Sequence, residues 1–374
     1  MRWVQPRISG VASGEDVWHA GSPHCRGDLL RRGAPTSHQR ANGGTAPAWA
    51  RDATAGPGGA GAGRYRTHDG YRHEAFFWEG DDQFVAGTVP FIREGLEAGQ
   101  AVMVAVTPGR IDVLRDALDG EAGAVRFVDM ERLGANPARI IPAWRAFTDQ
   151  HPGRPVRGIG EPIWHGRRMA ELAECQMHEA LLNMAVDTDT PLWLLCPYDT
   201  ATLPADVVAE AHRSHPVVVD VETHRGSTTY GGVHHLRKMF KAELPRTQVQ
   251  VVVSHRSFGA DDYADVRADV RAHASSVGLD TERTDDLVLG VHEVAVNSVR
   301  HGRGASELRI WEEHHALVCE VRGVGRIVNP MEGRLPPSSA DELGHGLWMA
   351  NQLCDLVQVR SGKVGTTVRI HAWL

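Results

Sequence analysis

The sequence predicts an α/β domain followed by a two-layer α+β sandwich, with a Gly- and Ala-rich leader ahead of both. Three observations predict it. From Tyr71 to about Val221, apolar runs such as AVMVAV (101–106) alternate with stretches of helical period, the pattern of a mostly parallel sheet covered on both faces. From 248 onward, two amphipathic helices are followed by strands in hairpin-like succession, which places helices on one side of a largely antiparallel sheet. Residues 1–68, peaking in ATAGPGGAGAG (53–63), show no sustained apolar periodicity and are expected to be disordered.

Each element follows from local chemistry. FVAGTVPFIREGLEAG (84–99) reads as a helix, 101–106 as a buried strand closed by Thr107-Pro108-Gly109, IDVLRDALDG (111–120) as a helix and AVRFVDM (124–130) as a strand. NPARIIPAWRAFTDQ (136–150) reads as a helix with an Asn136 cap and Pro137 at its first position. RGIGEPIW (157–164), a helix over 169–185 and the strand PLWLLCPYD (191–199) complete a domain assigned to 69–221. Residues 222–247 read as a linker with one short helix in HHLRKMFKAEL (234–244). The last domain, 248–374, takes a strand at 248–256, helices at 261–278 and 282–302 ended by Gly278 and Gly302, strands at 307–313 and 316–323, a Pro-rich loop, a helix at 346–355, and strands at 356–362 and 366–374.

Composition narrows the function. The 374 residues carry 40 basic and 47 acidic side chains, a net −7 that gives no global attraction to nucleic acid or an anionic membrane. Five widely spaced cysteines without a C-x-x-C pair indicate neither a disulfide framework nor a zinc ribbon. No apolar run reaches membrane-spanning length, and MRWVQPRISG lacks a signal-peptide core, so a cytoplasmic protein is expected.

The strongest chemical signal lies in 282–302. Glu293 and Asn297, four apart, share a helix face that His301 continues; a carboxylate beside an amide suits magnesium-phosphate chemistry. Alone that spacing is better read as a solvated polar stripe with Asn297 near a helix end. Its place in an ordered series is more specific: Gly323-Val324-Gly325 after two strands, Gly344-His345-Gly346-Leu347 opening a helix, and Gly365-Thr366-Thr367 entering the last strand.

That series, over 248–374, resembles the GHKL (Bergerat-type, histidine kinase-like) ATPases, and within them the serine-kinase anti-sigma factors of bacterial partner-switching systems. The resemblance implies ATP and Mg²⁺ as cofactors, Asn297 as the Mg²⁺ ligand and Glu293 as general base. It also implies a nucleotide cradle including His301, Gly325, Gly344, Gly346, Leu347, Thr366 and Thr367. In one respect the chain departs from the family: Gly323 stands where an Asp accepts a hydrogen bond from the adenine amino group, which removes the side-chain acceptor. The lid, MEGRLPPSSADELGHG (331–346), is short.

HEAFFWEG (73–80), VPFIREGLEAGQAVMVAV (89–106), GEPIWHGR (160–167), ECQMHEALLN (174–183), WLLCPYD (193–199) and SHP (214–216) together resemble the MEDS sensory domain, related in fold to RecA-like ATPases. No phosphate-binding G-x-x-x-x-G-K-[ST] follows any strand. His73, Glu161, Trp164, His178 and Glu179 are candidates for a small-molecule sensory pocket, although core or capping roles explain each individually.

Other signals are weak. The 21 histidines show no H-E-x-x-H or Cys/His metal spacing, Cys175 and Cys196 read as packing residues, and HHLRKMFKAELPR (234–246) lacks the acidic neighbour of a phosphoacceptor histidine. The resemblances imply an anti-sigma regulator: a protein serine/threonine kinase acting on an antagonist, with a sigma factor as partner, a sensory domain in control and a homodimer as its assembly. The alternative is a non-catalytic protein-binding regulator with a degenerate nucleotide site. No direct nucleic-acid or membrane partner is expected.

Overall fold

The computed structural model describes residues 70–220, 223–245, 254–302, 304–337 and 345–374. The leader expected over 1–68 lies outside the described residues, as do the first residues of the strand expected from 248.

The first half runs β1 (Arg72–Trp78), α1 (Gly80–Glu97), β2 (Ala101–Val106), α2 (Pro108–Leu118), β3 (Val125–Asp129), the short α3 (Met130–Leu133), α4 (Ile140–Asp149), β4 (Val156–Gly160), α5 (Met169–Ala185), β5 (Leu192–Asp199), α6 (Ala205–Ser214), β6 (Val217–Val219) and β7 (His224–Gly226). Its sheet has the order β3-β2-β4-β5-β1-β6-β7. The pairings are parallel except β6 with β7. Buried residues on both sides of β2, from Val102 to Val106, show why its run is continuously apolar: helices cover both faces. Gly158 in β4 admits the Trp144 ring of α4, where a Cβ would approach Cζ3 to 2.6 Å.

The second half comprises α7 (Gly232–Lys241), β8 (Ser254–Phe258), α8 (Tyr263–Ser276), α9 (Thr281–Gly302), β9 (Ser306–Glu313), β10 (Ala316–Gly323), α10 (His345–Leu353), β11 (Leu356–Gly362) and β12 (Gly365–Trp373). The sheet order is β11-β12-β10-β9-β8, and every pairing is antiparallel. His314 and His315, at φ 50° and 58°, form the tight turn between β9 and β10, a backbone usually given to Asn or Gly. Helices α9 and α10 lie on one face of this sheet.

The segment read as a linker is built into the structure. β7 adds an antiparallel edge to the first sheet, and α7 packs on α5, α6 and β11 through buried Leu236 and Phe240, four residues apart on an otherwise basic helix. Alternation along β11 completes the junction: Val357 and Val359 face the helices of their own layer, whereas Gln358 and Arg360 reach α5. Gln358 Nε2 donates to the Ala170 carbonyl at 3.3 Å. Glu174 Oε2 accepts from Arg334 Nη2 at 2.8 Å, and its Oε1 lies 2.7 Å from Arg360 Nη1.

Asn136 does what its sequence position predicts and more. Its Oδ1 accepts from the Ala138 amide at 3.1 Å, opening a 3₁₀ turn that leads into α4. Its Nδ2 donates to the Asn351 carbonyl at 3.1 Å. Arg139 donates to the carbonyls of Asn351 (2.9 Å), Gln352 (3.0 Å) and Cys354 (3.0 Å). These are the orphan acceptors at the C-terminal end of α10, satisfied by a guanidinium from the other sheet's layer.

Candidate functional site

Long-range packing brings the distant motifs of the second half together. A cavity of about 520 Å³ opens between α9, the ends of β10 and β12, the 325–332 loop and the start of α10. Asn297, His301, Gly325, Leu347 and Thr366 line it. Helical spacing puts Asn297 and His301 one turn apart on the cavity side of α9, while Val291 and Ala295 fill the core beneath.

Gly346 is where the approach is closest. A Cβ there would collide with Asn297 Nδ2 and come within 3.2 Å of Glu293 Oε2. The absence of a side chain therefore lets the first turn of α10, with its unpaired amides, sit against the Glu293–Asn297 pair. A helix start of this kind can hold an anion, and an amide oxygen such as that of Asn297 can serve a cation. Gly344 lies outside the described residues.

The floor is fixed by a chain of hydroxyls. The Gly325 carbonyl can only accept, so Thr366 Oγ1 donates to it at 2.8 Å. Ser361 Oγ then donates to Thr366 Oγ1 at 2.9 Å and accepts from the Ile327 amide at 2.9 Å. Thr367, its neighbour, belongs to the pleat's other face and lines a separate cavity with Arg309, Glu320 and Arg369.

At position 323 the cavity wall carries no side chain, and Ser298 Oγ, hydrogen bonded to Ser306 Oγ at 2.8 Å, fills the adjacent space. Polar side chains elsewhere in the lining include Asn329 and Glu332. Asn329 Oδ1 accepts from the Met331 amide at 3.0 Å, which fixes its orientation.

The five residues expected to form a sensory pocket fall in two places, Glu179 with His73 and His178. Glu161 follows β4 at the carboxyl ends of the parallel strands, and its Oε2 accepts from the Thr107 amide at 3.4 Å. Burial pushes its carboxyl up to about 7. Trp164 lies in the same connection, under the Arg167 guanidinium at 4.1 Å. His73 on β1 and His178 on α5 belong to the interior between sheet and helix, where burial pushes His178 down to about 3.

Around His73 the structure assembles residues that sequence spacing did not group. His73, Glu179, Cys196 and His215 are all buried, with one ligand atom of each within 4.8 Å of the others. They come from β1, α5, β5 and the residue after α6, so no short motif contains them. The sequence offers His73 and Glu179 as pocket candidates and reads Cys196 as a packing residue, and no spacing joins them to His215.

Two family models match parts of this chain. Residues 72–216 match the methanogen/methylotroph, DcmR sensory domain, MEDS. Residues 258–372 match the histidine kinase-like ATPase domain. Among solved structures, one of the RsbU and RsbW domains of Rv1364c from Mycobacterium tuberculosis is similar at 20% identity, with a TM-score of 0.26. The match covers 32% of this chain and 32% of that one, about a third of its length. No curated protein matches the chain significantly. Among the described residues, no helix is long and apolar enough to cross a membrane.

Proposed function

We propose that the chain is a cytoplasmic partner-switching regulator: an anti-sigma factor of the serine/threonine kinase type, with an ATP- and Mg²⁺-binding domain controlled by a RecA-like sensory domain. The observation that carries this reading is the cavity in which Asn297, His301, Gly325, Leu347 and Thr366 meet from four separate segments. Asn297 would hold the Mg²⁺ and the amides opening α10 would hold phosphate oxygens, a fit supported by the space that Gly346 leaves beside Asn297. Bound Mg-ATP supplies a transferable phosphoryl group. Glu293, beside Gly346, would accept the proton of an antagonist's Ser or Thr hydroxyl. The His301 side of the cavity, with Asn329 and Glu332, would take the base. A sigma factor and an antagonist are the partners in this reading, and a homodimer is its assembly.

A second reading is favoured by one observation. With no carboxylate at 323 and Ser298 occupying the adjacent space, the base-recognition end differs from that of an adenine-specific pocket, as expected of a binding module that no longer turns over nucleotide.

Calorimetric titration of the full chain with Mg-ATP and Mg-ADP separates the two. The kinase reading expects saturable binding that Asn297→Ala weakens at least tenfold, and phosphorylation of an antagonist that Glu293→Ala abolishes. No binding of either nucleotide to the folded chain would sink it and leave the protein-binding module.

A further inference from the structure

The buried cluster in the first half of the chain has a hydrogen-bonding problem. His73 Nδ1 lies 3.1 Å from Asn183 Oδ1, and Asn183 Nδ2 donates to the Ser214 carbonyl at 2.7 Å, which fixes the amide's orientation. His73 Nδ1 is therefore the protonated nitrogen. His215 Nδ1 lies 2.9 Å from the Ala211 carbonyl, a group that can only accept, so it too carries the proton. In both neutral rings the bare Nε2 then points at one carboxylate oxygen: Glu179 Oε2 is 3.0 Å from His73 Nε2 and 3.2 Å from His215 Nε2. Three acceptors face one another, and among the described residues the Cys196 thiol is the donor beside them.

One added proton would serve a single ring nitrogen and leave a buried imidazolium against Glu179. Charging both rings would put two imidazolium groups 4.1 Å apart between centroids, in a site where all four residues are buried. The Cys196 thiol, 3.4 Å from His73 Nε2, serves one nitrogen and leaves the other. Among the described residues, Glu179 Oε1 has no hydrogen-bond partner within the usual geometry.

We propose that His73, Glu179, Cys196 and His215 are the four ligands of a divalent cation of the zinc type. Nε2 of each ring, one Glu179 carboxylate oxygen and the Cys196 thiolate supply the set that borderline cations prefer. Four ligands at zinc-like bond lengths stand roughly 3.3–3.6 Å apart; three spacings here are 3.0, 3.2 and 3.4 Å, and the other pairs lie within 4.8 Å. Charge closes as well: one divalent cation, one thiolate, one carboxylate and two neutral imidazoles sum to zero, which a buried site requires. Binding forms the metal–sulfur bond and releases the thiol proton to solvent. The Nδ1 donors to Asn183 and Ala211 then act as the outer contacts that orient ligating histidines. With four protein ligands the site is closed and fastens β1, β5, α5 and the end of α6 together.

The test uses the untagged full chain refolded with Zn²⁺, desalted, and measured for bound metal by mass spectrometry and for ligand type by X-ray absorption. The expected result is one ion per folded chain with one sulfur and three nitrogen or oxygen neighbours. Cys196→Ser should lose the sulfur neighbour, whereas Cys175→Ser, at another buried thiol, should keep it. If Cys196→Ser does not fold, the wild-type spectrum still decides. Less than half an ion per folded chain, or a shell without sulfur, overturns the proposal.

Discussion

Ser298 Oγ lies in the space that a Cβ at Gly323 would take, held there by its 2.8 Å hydrogen bond to Ser306 Oγ. Restoring an acidic residue at 323 is therefore more than adding an acceptor. Gly323→Asp should destabilise the chain by about 1–3 kcal/mol through overpacking and gain no nucleotide affinity. Combined with Ser298→Gly it should recover most of that stability and bind adenine nucleotide more tightly. Thermal unfolding and calorimetry on the two variants check this. An unchanged Tm with tighter binding in the single variant would mean that Ser298 swings aside freely.

Helix α10 links the cavity to the other half of the molecule. Its first turn lines the cavity at Leu347, and its last carbonyls accept from Arg139 and Asn136. Removing the guanidinium takes a donor from three carbonyls, of which those of Asn351 and Cys354 keep Asn136 Nδ2 while that of Gln352 loses its side-chain partner. Each bond is worth about 0.5–1.5 kcal/mol net. Arg139→Ala should accelerate amide exchange over 345–354 by roughly tenfold or more, and leave exchange in β2 and β4 unchanged. Equal exchange in α10 would show that water replaces the guanidinium without loss.

Elements with strong local signals were legible in the sequence. AVMVAV gave β2 to the residue because a strand buried on both faces is apolar throughout, and Met169–Ala185 was marked by helical period across its full length. α6 and the β6–β7 edge were not legible. α6 offers only Val207 and Ala211 as a buried stripe among polar neighbours, and β7 is the tripeptide His-Arg-Gly, whose pairing is decided by the strand beside it. The Glu293–Asn297 pair could be read because one helix carries both. His73, Glu179, Cys196 and His215 are spread over more than 140 residues of chain, and the parallel pairing of β1 with β5 and with β6, together with the contact of Glu179 on α5 with His73, brings them together.

Glu174 is a buried carboxylate gripping two arginines of the other half: Arg334 at 2.8 Å and Arg360 at 2.7 Å. Burial pulls the Arg334 guanidinium below its usual range, so the pair depends on the carboxylate being present. Glu174→Gln should cost about 3–5 kcal/mol, because two buried cations lose their counter-charge. Replacing Glu174, Arg334 and Arg360 together by Met, Leu and Met should cost far less. Urea denaturation of the two variants checks the difference; equal losses would assign the effect to packing alone.

Glu161 gives the chain a pH dependence of defined sign. Its carboxyl is held up at about 7 against an ordinary 4.5, chiefly by burial, with the Asp199 charge adding to the rise and the Thr107 amide and Arg110 opposing it. The folded state thus keeps a proton that the unfolded chain has already lost. Stability from this group is fully present below about 4.5 and is lost as pH rises to about 7, the reverse of a salt-bridged carboxylate. The interval corresponds to about 3 kcal/mol at most, at 1.36 kcal/mol per pH unit. Glu161→Gln keeps the shape and removes the titration, so the variant should unfold at nearly the wild-type denaturant midpoint in acid and at a higher one above neutrality. The wild-type minus variant difference in unfolding free energy, followed across this range, should fall steadily and then flatten. A difference independent of pH would place the Glu161 carboxylate in contact with water.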